Sequence, residues 1–379
     1  MATELHGQVA PGFEAVADCF RANFERDDAY REVGASLAVY RGEDLVVDLF
    51  AGHADAEGAR PWTRDTLVNV WSTTKGVTAI ALAVLVDRGL IDYAAPVARF
   101  WPQFAQNGKG EITVSQLLSH QAGLPGFVDP MPLADFCDWQ IVTSRLAAQA
   151  PMWPPGTKNS YHAMTFGFLA GELIRRVSGA SVGQFLARDV AGPLGADVFI
   201  GLDERLEPRV APLIAPRIVA AFDAANMPPE ALAAVTNPDM IPTLPNDRAW
   251  RAAEIPAGNG HATAVGLARL YGAVANGGAL GGVRIMRPET VAALDTIQTD
   301  RVDVLLGAAP FWRNGVAGNE IGTFGPNPKV FGHPGWGGSF GCADTENAVA
   351  IGYVMNQMGD RAVGDPRDVA LCEAVYACL

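Results

Sequence analysis

Strand-like and helix-like patterns are unevenly distributed along this chain, and that distribution constrains its fold. β-prone runs lie near both ends: Ala35–Tyr40 and Leu45–Phe50 come first, and Phe340–Asp344 and Ala348–Met355 come last. The residues from about 90 to 300 instead hold helical patterns separated by Pro- and Gly-rich connections. Strands and helices that are segregated along a chain are typical of α+β folds. We therefore predict an antiparallel sheet built from both ends, flanked by helices, with a mainly helical region inserted between them.

The length and composition of the chain favour one large domain. The chain has 379 residues, 49% of them hydrophobic, which is enough for a sizeable core. We predict a single domain over residues 1–379 with two parts: an α/β part of about residues 1–89 and 301–379, and a mainly helical inserted part of about residues 90–300. Neither an internal repeat nor a low-complexity tract interrupts this pattern.

Charge and cysteine usage exclude several classes of partner. The formal net charge is −13 and there is no basic run, so we expect neither nucleic acid nor an anionic membrane surface as a partner. The amino terminus has no signal-peptide pattern, and the longest apolar run, Val77–Val86, is too short to span a bilayer. The five cysteines form no Cys-x-x-Cys motif. Together these features predict a cytoplasmic protein with reduced thiols.

Ser72-Thr73-Thr74-Lys75 is the only Ser-x-x-Lys sequence in the chain. A short β-prone run precedes it, and the apolar run that follows predicts a buried helix. Residues three apart share one face of a helix, so the Lys75 amine can reach the Ser72 hydroxyl. A serine nucleophile needs an adjacent base, and burial at a helix N-terminus disfavours the charged amine. We predict that Ser72 is a nucleophile, that Lys75 is part of its base, and that the Ser72 backbone N–H faces an oxyanion. The alternative, a solvated Ser and Lys on a surface helix, disagrees with the apolar continuation.

Two further segments carry residues suited to the same chemistry. Tyr161 follows the Pro154-Pro155-Gly156 turn, and a tyrosine beside a lysine can act as base and later as acid. Taken alone, Tyr161 could equally be a packed aromatic residue. The segment 332–339 reads Gly-His-Pro-Gly-Trp-Gly-Gly-Ser, and so many glycines between strands indicate close backbone approach to another group. That group could be a substrate bound at an oxyanion hole, or the segment could be a tight turn.

The three segments, in this order, resemble the serine β-lactamase and penicillin-binding superfamily, in particular class C β-lactamases and family VIII carboxylesterases. The resemblance extends from about residue 33 to 356 and includes Leu117–Pro125 and Ala257–Gly260. It implies a β-lactamase/transpeptidase-like fold with the site between a sheet domain and a helical domain.

For the site residues, the resemblance implies an acylated serine and a Lys–Tyr base pair. Ser72 would be the nucleophile, Lys75 and Tyr161 the base pair, and the backbone N–H groups of Ser72 and Trp336 the oxyanion hole. The substrate-binding residues would then include His333, Gly335 and Trp336.

Two departures from the β-lactamase pattern favour the esterases. Class C β-lactamases carry Tyr-x-Asn at the second segment, where this chain has Ala163 in the Asn position. They carry Lys-Thr-Gly at the third segment, where this chain has His333-Pro334-Gly335, and histidine is mostly neutral at pH 7. Both changes remove groups that recognise peptide-like, anionic substrates. We therefore predict a serine carboxylesterase that acts on small-molecule esters of small to medium acyl groups.

Other readings of the sequence remain. The same residues could serve an amide hydrolase (a β-lactamase, a D-amino-acid peptidase or an oligoamide hydrolase), or the fold could belong to a non-catalytic binding protein. The presence of Ser72, Lys75 and Tyr161 speaks against the binding protein. Gly337–Gly341 matches the Gly-x-Ser-x-Gly nucleophile elbow around Ser339, but the last histidine, His333, precedes that serine, and the elbow fold requires it to follow. No metal or cofactor fingerprint occurs, so we expect neither.

Overall fold

The computed structural model describes residues 3–218 and 224–379. Its strands are β1 (Leu5–Val9), β2 (Gly34–Arg41), β3 (Asp44–Gly52), β4 (Leu67–Asn69), β5 (Val198–Phe199), β6 (Val210–Ala211), β7 (His261–Ala262), β8 (Ala279–Leu280), β9 (Val283–Arg284), β10 (Ala317–Gly318), β11 (Phe331–Pro334), β12 (Phe340–Asp344) and β13 (Val349–Met355). Its α-helices are α1 (Glu14–Glu25), α2 (Thr73–Asp87), α3 (Val114–Leu118), α4 (Leu133–Phe136), α5 (Trp139–Ala148), α6 (Thr165–Ser178), α7 (Val182–Phe185), α8 (Pro229–Thr236), α9 (Arg248–Ala252), α10 (Ala264–Ala275), α11 (Pro288–Leu294) and α12 (Pro366–Tyr376).

The main sheet joins the two ends of the chain. Its seven strands lie in the order β1-β3-β2-β13-β12-β11-β10, and all neighbours are antiparallel. The central pair is β2 with β13, in which Val39 lies opposite Ile351. The predicted antiparallel sheet from both termini is therefore present. The division into two parts at about residues 89 and 301 stays a prediction.

Strand β4 lies outside the main sheet, although it directly precedes the Ser-x-x-Lys segment. It pairs in parallel with β6 and antiparallel with β7, within a four-stranded sheet of order β5-β7-β4-β6. Val68 lies opposite Ala262 and Asn69 opposite His261. This pairing anchors the chain just before Ser72 to the segment that precedes α10.

Helices α2 and α10 position the site against the main sheet. Helix α2 is apolar on all sides and contacts α6, α11 and β11. Helix α10 packs on β12 and β13, where glycines allow a close approach: a Cβ at Gly352 would lie 2.4 Å from the Ala264 carbonyl oxygen. Side chains alternate across a strand, so Cys342 points to the opposite face, toward Cys372 of α12.

The helices predicted for the middle of the chain are present. Three helical patterns of this region, at Val114–Leu118, Phe166–Val177 and Thr263–Ala275, correspond to α3, α6 and α10. These helices lie between β3 and β10 of the main sheet in the chain order. Within residues 3–218 and 224–379, no helix is both long enough and apolar enough to cross a membrane.

Candidate active site

A tight turn between β4 and α2 holds Ser72. Trp71 has a φ of 42°, a left-handed conformation that is strained for a bulky side chain. Its backbone N–H donates to the Asn69 side chain at 2.9 Å, and its carbonyl accepts from the Thr74 hydroxyl. Ser72 then serves as the N-cap residue of α2, and its carbonyl accepts from the Lys75 N–H at 2.9 Å. The turn therefore presents the Ser72 side chain at the start of a buried helix.

The Lys75 amine lies 2.9 Å from the Ser72 hydroxyl oxygen. Its second contact is the carbonyl oxygen of Ala257, also at 2.9 Å, and the side chain is completely buried. No carboxylate among the described residues forms an ion pair with it. Burial alone holds the pKa of Lys75 well below its ordinary value. A neutral amine in this position can donate to Ala257 and accept the Ser72 proton.

Tyr161 lies next to the same lysine. The Lys75 nitrogen is 4.7 Å from the centre of the Tyr161 ring. Burial raises the pKa of Tyr161, and so does the charge of Asp303, whereas a hydrogen bond with Ser72 opposes them. Because burial is the largest of these effects, the phenol keeps its proton at neutral pH. Burial thus favours the uncharged forms of both Tyr161 and Lys75 beside Ser72.

The glycine-rich loop between β11 and β12 faces the start of α2. The Gly335 N–H donates to the Ser339 carbonyl at 2.6 Å, and a Cβ at Gly335 would lie 2.3 Å from the Val70 carbonyl oxygen. Gly335 therefore packs behind the cleft surface. The backbone N–H groups of Ser72 and Trp336 donate to no described residue, and both residues line the cleft. These two donors are available to a bound oxygen.

Ser339, the serine of the Gly-x-Ser-x-Gly match, is buried behind this loop. Its hydroxyl donates to the Val70 carbonyl at 2.9 Å and lies 3.2 Å from the Thr73 hydroxyl. A strand, β12, follows it, whereas a nucleophile elbow requires a helix.

His333 lines the cleft with its side chain almost fully buried. Its Nδ1 lies 2.7 Å from the Pro334 carbonyl oxygen, and its Nε2 has no partner among the described residues. Burial, with a smaller effect of Lys75, lowers the pKa of His333 to about 3. The imidazole is therefore neutral, and it cannot supply the positive charge of the lysine it replaces in class C β-lactamases.

The cleft in front of Ser72 has a volume of about 420 Å³ and mostly apolar walls. Asp360 and the exposed Arg361 are adjacent charged residues of opposite sign on its lining. The other lining residues are Ser72, Tyr161, Leu305, Leu306, Ala308, Pro310, Trp312, Ala317, Gly318, Ile321, Thr323, His333, Pro334, Trp336, Ala362 and Val363. Of the residues predicted from the sequence, Ser72, Tyr161, His333 and Trp336 thus meet at one cleft, with Lys75 directly behind it.

Sequence reasoning missed three residues at this site. Trp312 stacks on the Tyr161 ring at 5.5 Å and 9°, and His120 lies 4.9 Å from the same ring. Asp303 accepts a hydrogen bond from the Tyr161 backbone N–H at 3.0 Å. His120 lies within the family-like stretch Leu117–Pro125, but no local pattern marks Trp312 or Asp303. In the part of the chain that the structure describes, no group of three or more His, Cys, Asp or Glu side chains could hold a metal ion.

Comparison with known proteins finds similarity over most of the chain. Residues 20–373 match the beta-lactamase family. "Esterase/beta-lactamase LipL" of Mycobacterium tuberculosis is 38% identical over 365 residues, which cover 93% of this chain and 83% of LipL.

Two solved structures are similar over the whole chain. The crystal structure of a family VIII carboxylesterase is 46% identical with a TM-score of 0.94, covering 99% of this chain and 100% of the other. A penicillin-binding protein homologue from Caulobacter crescentus is 42% identical with a TM-score of 0.94, and the match covers 100% of both chains. The predicted β-lactamase/transpeptidase-like fold is confirmed.

Proposed function

This chain belongs to the beta-lactamase family, and we propose that within the family it is a serine carboxylesterase for esters of small to medium acyl groups. One observation carries the proposal: the buried Lys75 amine, whose pKa desolvation lowers and which has no carboxylate partner among the described residues, lies 2.9 Å from the Ser72 hydroxyl. A serine becomes a nucleophile when such a base takes its proton.

In the acylation step, the Ser72 oxygen bonds to the ester carbonyl carbon while its proton passes to Lys75. The carbonyl oxygen gains negative charge, which the backbone N–H groups of Ser72 and Trp336 stabilise. The carbon–oxygen bond to the alcohol then breaks, and the leaving oxygen receives a proton from the Tyr161 phenol. Lys75 then returns its proton to Tyr161. The products are an acyl-Ser72 ester and a free alcohol.

In the deacylation step, water attacks the acyl carbon from the position that the alcohol left. Lys75 and Tyr161 take one water proton, the bond from the acyl carbon to the Ser72 oxygen breaks, and that oxygen recovers the proton. The products are the carboxylic acid and the original enzyme. The same two groups act as general base and general acid in both steps.

The cleft and the relatives support an ester as the substrate. Leu305, Leu306 and Ile321 give the cleft apolar walls, and its volume of about 420 Å³ suits a short or medium acyl chain. Ala163 and the neutral His333 provide neither the amide nor the cation that would recognise an anionic, peptide-like substrate. Two of the similar proteins are named as esterases.

The test is hydrolysis of p-nitrophenyl acetate, butyrate and decanoate, with a chromogenic cephalosporin assayed in parallel. The cephalosporin is included because LipL is named as both esterase and beta-lactamase. Wild type is compared with Ser72→Ala and, as a matched control, with Ser144→Ala, which changes an exposed serine of α5. A fluorophosphonate probe followed by peptide mass spectrometry identifies the reactive serine.

We expect turnover of the short esters, little turnover of the cephalosporin, and an adduct on the Ser72 peptide alone. Ser72→Ala should lower kcat at least about 10³-fold, while Ser144→Ala leaves it within about threefold. A better rate with the cephalosporin would favour the amide hydrolase. Full activity of Ser72→Ala with an adduct on the Ser339 peptide would contradict the nucleophile assignment.

A further inference from the structure

Asp303 is a completely buried carboxylate close to the cleft, and the proposed mechanism does not use it. No Lys, Arg or His among the described residues forms an ion pair with Asp303, whose side chain has zero exposure. An isolated carboxylate is costly to bury unless several hydrogen bonds stabilise it.

Five N–H groups supply the hydrogen bonds of this carboxylate. Oδ1 accepts from the backbone N–H groups of Tyr161 at 3.0 Å, Leu305 at 3.0 Å and Leu306 at 3.2 Å. Oδ2 accepts from the Trp312 indole at 3.1 Å and from the Asn159 amide at 3.2 Å. All five donors are N–H groups held by one side chain, so the carboxylate orders the groups that donate to it.

Four of the five donors belong to residues that line the cleft. Tyr161, Trp312, Leu305 and Leu306 form one continuous side of it, whereas Asp303 itself is not among the lining residues. The main chain reinforces the arrangement, because the Asp303 N–H donates to Ala308 and its carbonyl accepts from Gly307, each at 2.8 Å. Asp303 thus lies behind the wall and contacts the segments that form it.

We propose that Asp303 is a positioning residue for the ester-hydrolysis reaction: its carboxylate fixes the Tyr161 backbone, the Trp312 indole and the Leu305–Leu306 turn in one arrangement around the Ser72 cleft. The inference rests on the proposed function, in which Tyr161 moves protons. In this proposal one buried side chain both places the acid–base tyrosine and shapes the side of the cleft that Trp312, Leu305 and Leu306 form.

The charge of Asp303 also acts on the chemistry of Tyr161. The titratable groups facing the Tyr161 ring are Lys75 at 4.7 Å, His120 at 4.9 Å and His333 at 6.1 Å. Burial lowers the pKa of each of them, which disfavours their cationic forms. The negative charge next to Tyr161 therefore comes from Asp303, and it raises the pKa of the phenol. This favours the protonated phenol that donates to the leaving alcohol.

The test is a double-mutant cycle with Asp303→Asn in the wild-type and Tyr161→Phe backgrounds. Asparagine preserves the shape but removes the charge, and it turns one accepting oxygen into an NH₂ group that faces N–H donors. With p-nitrophenyl butyrate, we expect Asp303→Asn to lower kcat about 10- to 100-fold in wild type but less than about threefold in Tyr161→Phe, because coupled residues are not additive. The loss should fall mainly on kcat, with KM changed less than about threefold.

A matched control and a milder variant accompany the cycle. Asp295→Asn changes another acid near this wall, one that pairs with Arg313 at 2.5 Å and does not line the cleft, and kcat should stay within about threefold. If Asp303→Asn does not fold, Trp312→Phe removes the indole donor to Oδ2 while it keeps an aromatic ring beside Tyr161, and its effect on kcat should likewise depend on Tyr161.

Equal losses of kcat in the two backgrounds would overturn the role of Asp303. That result is distinguishable from failure of the proposed function. In the first case wild type still hydrolyses esters and Ser72→Ala does not, whereas in the second case wild type shows no turnover or Ser72→Ala retains it.

Discussion

Lys75 illustrates how burial alone can convert a residue's chemistry. An exposed lysine is an ammonium ion at neutral pH and cannot accept a proton. In this chain the amine is completely buried, and among the described residues its hydrogen-bond partners are the Ser72 hydroxyl and the Ala257 carbonyl. Desolvation, without a nearby cation, is what lowers its pKa. Its proposed role as base therefore depends on a dry environment more than on charged neighbours.

Replacing Lys75 by methionine tests this role at the level of one side chain. Methionine has a similar length but no basic nitrogen, so we expect kcat for p-nitrophenyl butyrate to fall at least about 10³-fold. Lys109→Met is the matched control: this lysine is also buried, and its amine contacts the Gln106 and Gln149 carbonyls away from the cleft. Its kcat should stay within about threefold of wild type, and equal losses would mean that Lys75 is only structural.

The loop between β11 and β12 shows how an element can require glycine for purely steric reasons. At Gly335 a methyl group would meet the Ser339 hydroxyl and the Val70 carbonyl oxygen at 2.3 Å each, and both belong to the support of α2. Gly337 and Gly338 have φ values of 97° and 120°, which side chains rarely adopt. The loop can therefore approach the N-terminus of α2 closely enough to bring the Trp336 N–H to the proposed oxyanion hole.

Gly335→Ala should displace this loop and impair the proposed oxyanion hole. Loss of one oxyanion donor typically lowers kcat about 10²- to 10³-fold, and we expect a decrease in that range with little change in KM. Gly110→Ala provides the control, because the nearest atom to its added Cβ is 3.9 Å away. A Gly335→Ala enzyme with normal kcat would show that the Trp336 N–H is not needed.

Packing between α2 and α10 depends on a similar contact. A Cβ at Gly76 would lie 2.0 Å from the Tyr271 hydroxyl oxygen, which is buried without a partner among the described residues. We expect Gly76→Ala to destabilise the protein by about 1–3 kcal/mol through overpacking. Tyr271→Phe removes the unsatisfied hydroxyl, so it should be neutral or slightly stabilising and should partly rescue Gly76→Ala. Denaturant unfolding of the two single variants and the double variant measures this coupling, and additive effects would contradict it.

At the scale of the whole molecule, one buried ionic cluster joins distant parts of the chain. The Arg367 guanidinium of α12 donates to Glu32 at 2.9 Å, to Asp365 at 2.8 Å and to the Gly337 carbonyl of the glycine-rich loop at 2.7 Å. Glu32 also accepts from the Tyr353 hydroxyl of β13. The cluster therefore links the segment before β2, the sheet, the last helix and the loop at the site.

This cluster predicts a pH dependence of stability. Burial raises the pKa of Glu32 from 4.5 to about 7, although Arg367 and Tyr353 oppose the shift. Because the folded state holds this proton more tightly than the unfolded state, the contribution to stability is complete below pH 4.5 and is lost as the pH rises through 7. The full effect is about 3 kcal/mol, since one pKa unit corresponds to about 1.4 kcal/mol.

Glu32→Gln should remove that dependence, because glutamine keeps the acceptor oxygen without titrating. We expect the free energy of unfolding of wild type to fall relative to that of Glu32→Gln between pH 5 and 8, measured by urea unfolding at each pH. The free energy of unfolding of Glu111→Gln, a change at an exposed position, should vary with pH as that of wild type does. Parallel curves for wild type and Glu32→Gln would show that Glu32 is ionised throughout.

The features that the sequence determined by itself are local ones. Hydrophobic patterns marked α2 and the strands at both ends, because such patterns are visible within a few residues. The pairing of Ser72 with Lys75 was equally predictable, since a separation of three residues on a helix brings two side chains together without any tertiary contact.

The tertiary structure decided what depends on contacts between distant segments. Strand β4 was predictable as a strand, but its pairing with β6 and β7 was not, because a run of three residues does not specify partners. The positions of Tyr161, His333 and Trp336 around one cleft rest on packing between separate elements. Asp303 had no sequence signal at all, because its five donors come from segments up to 144 residues away. Only folding brings these donors to one carboxylate, and only burial lowers the pKa of the Lys75 amine.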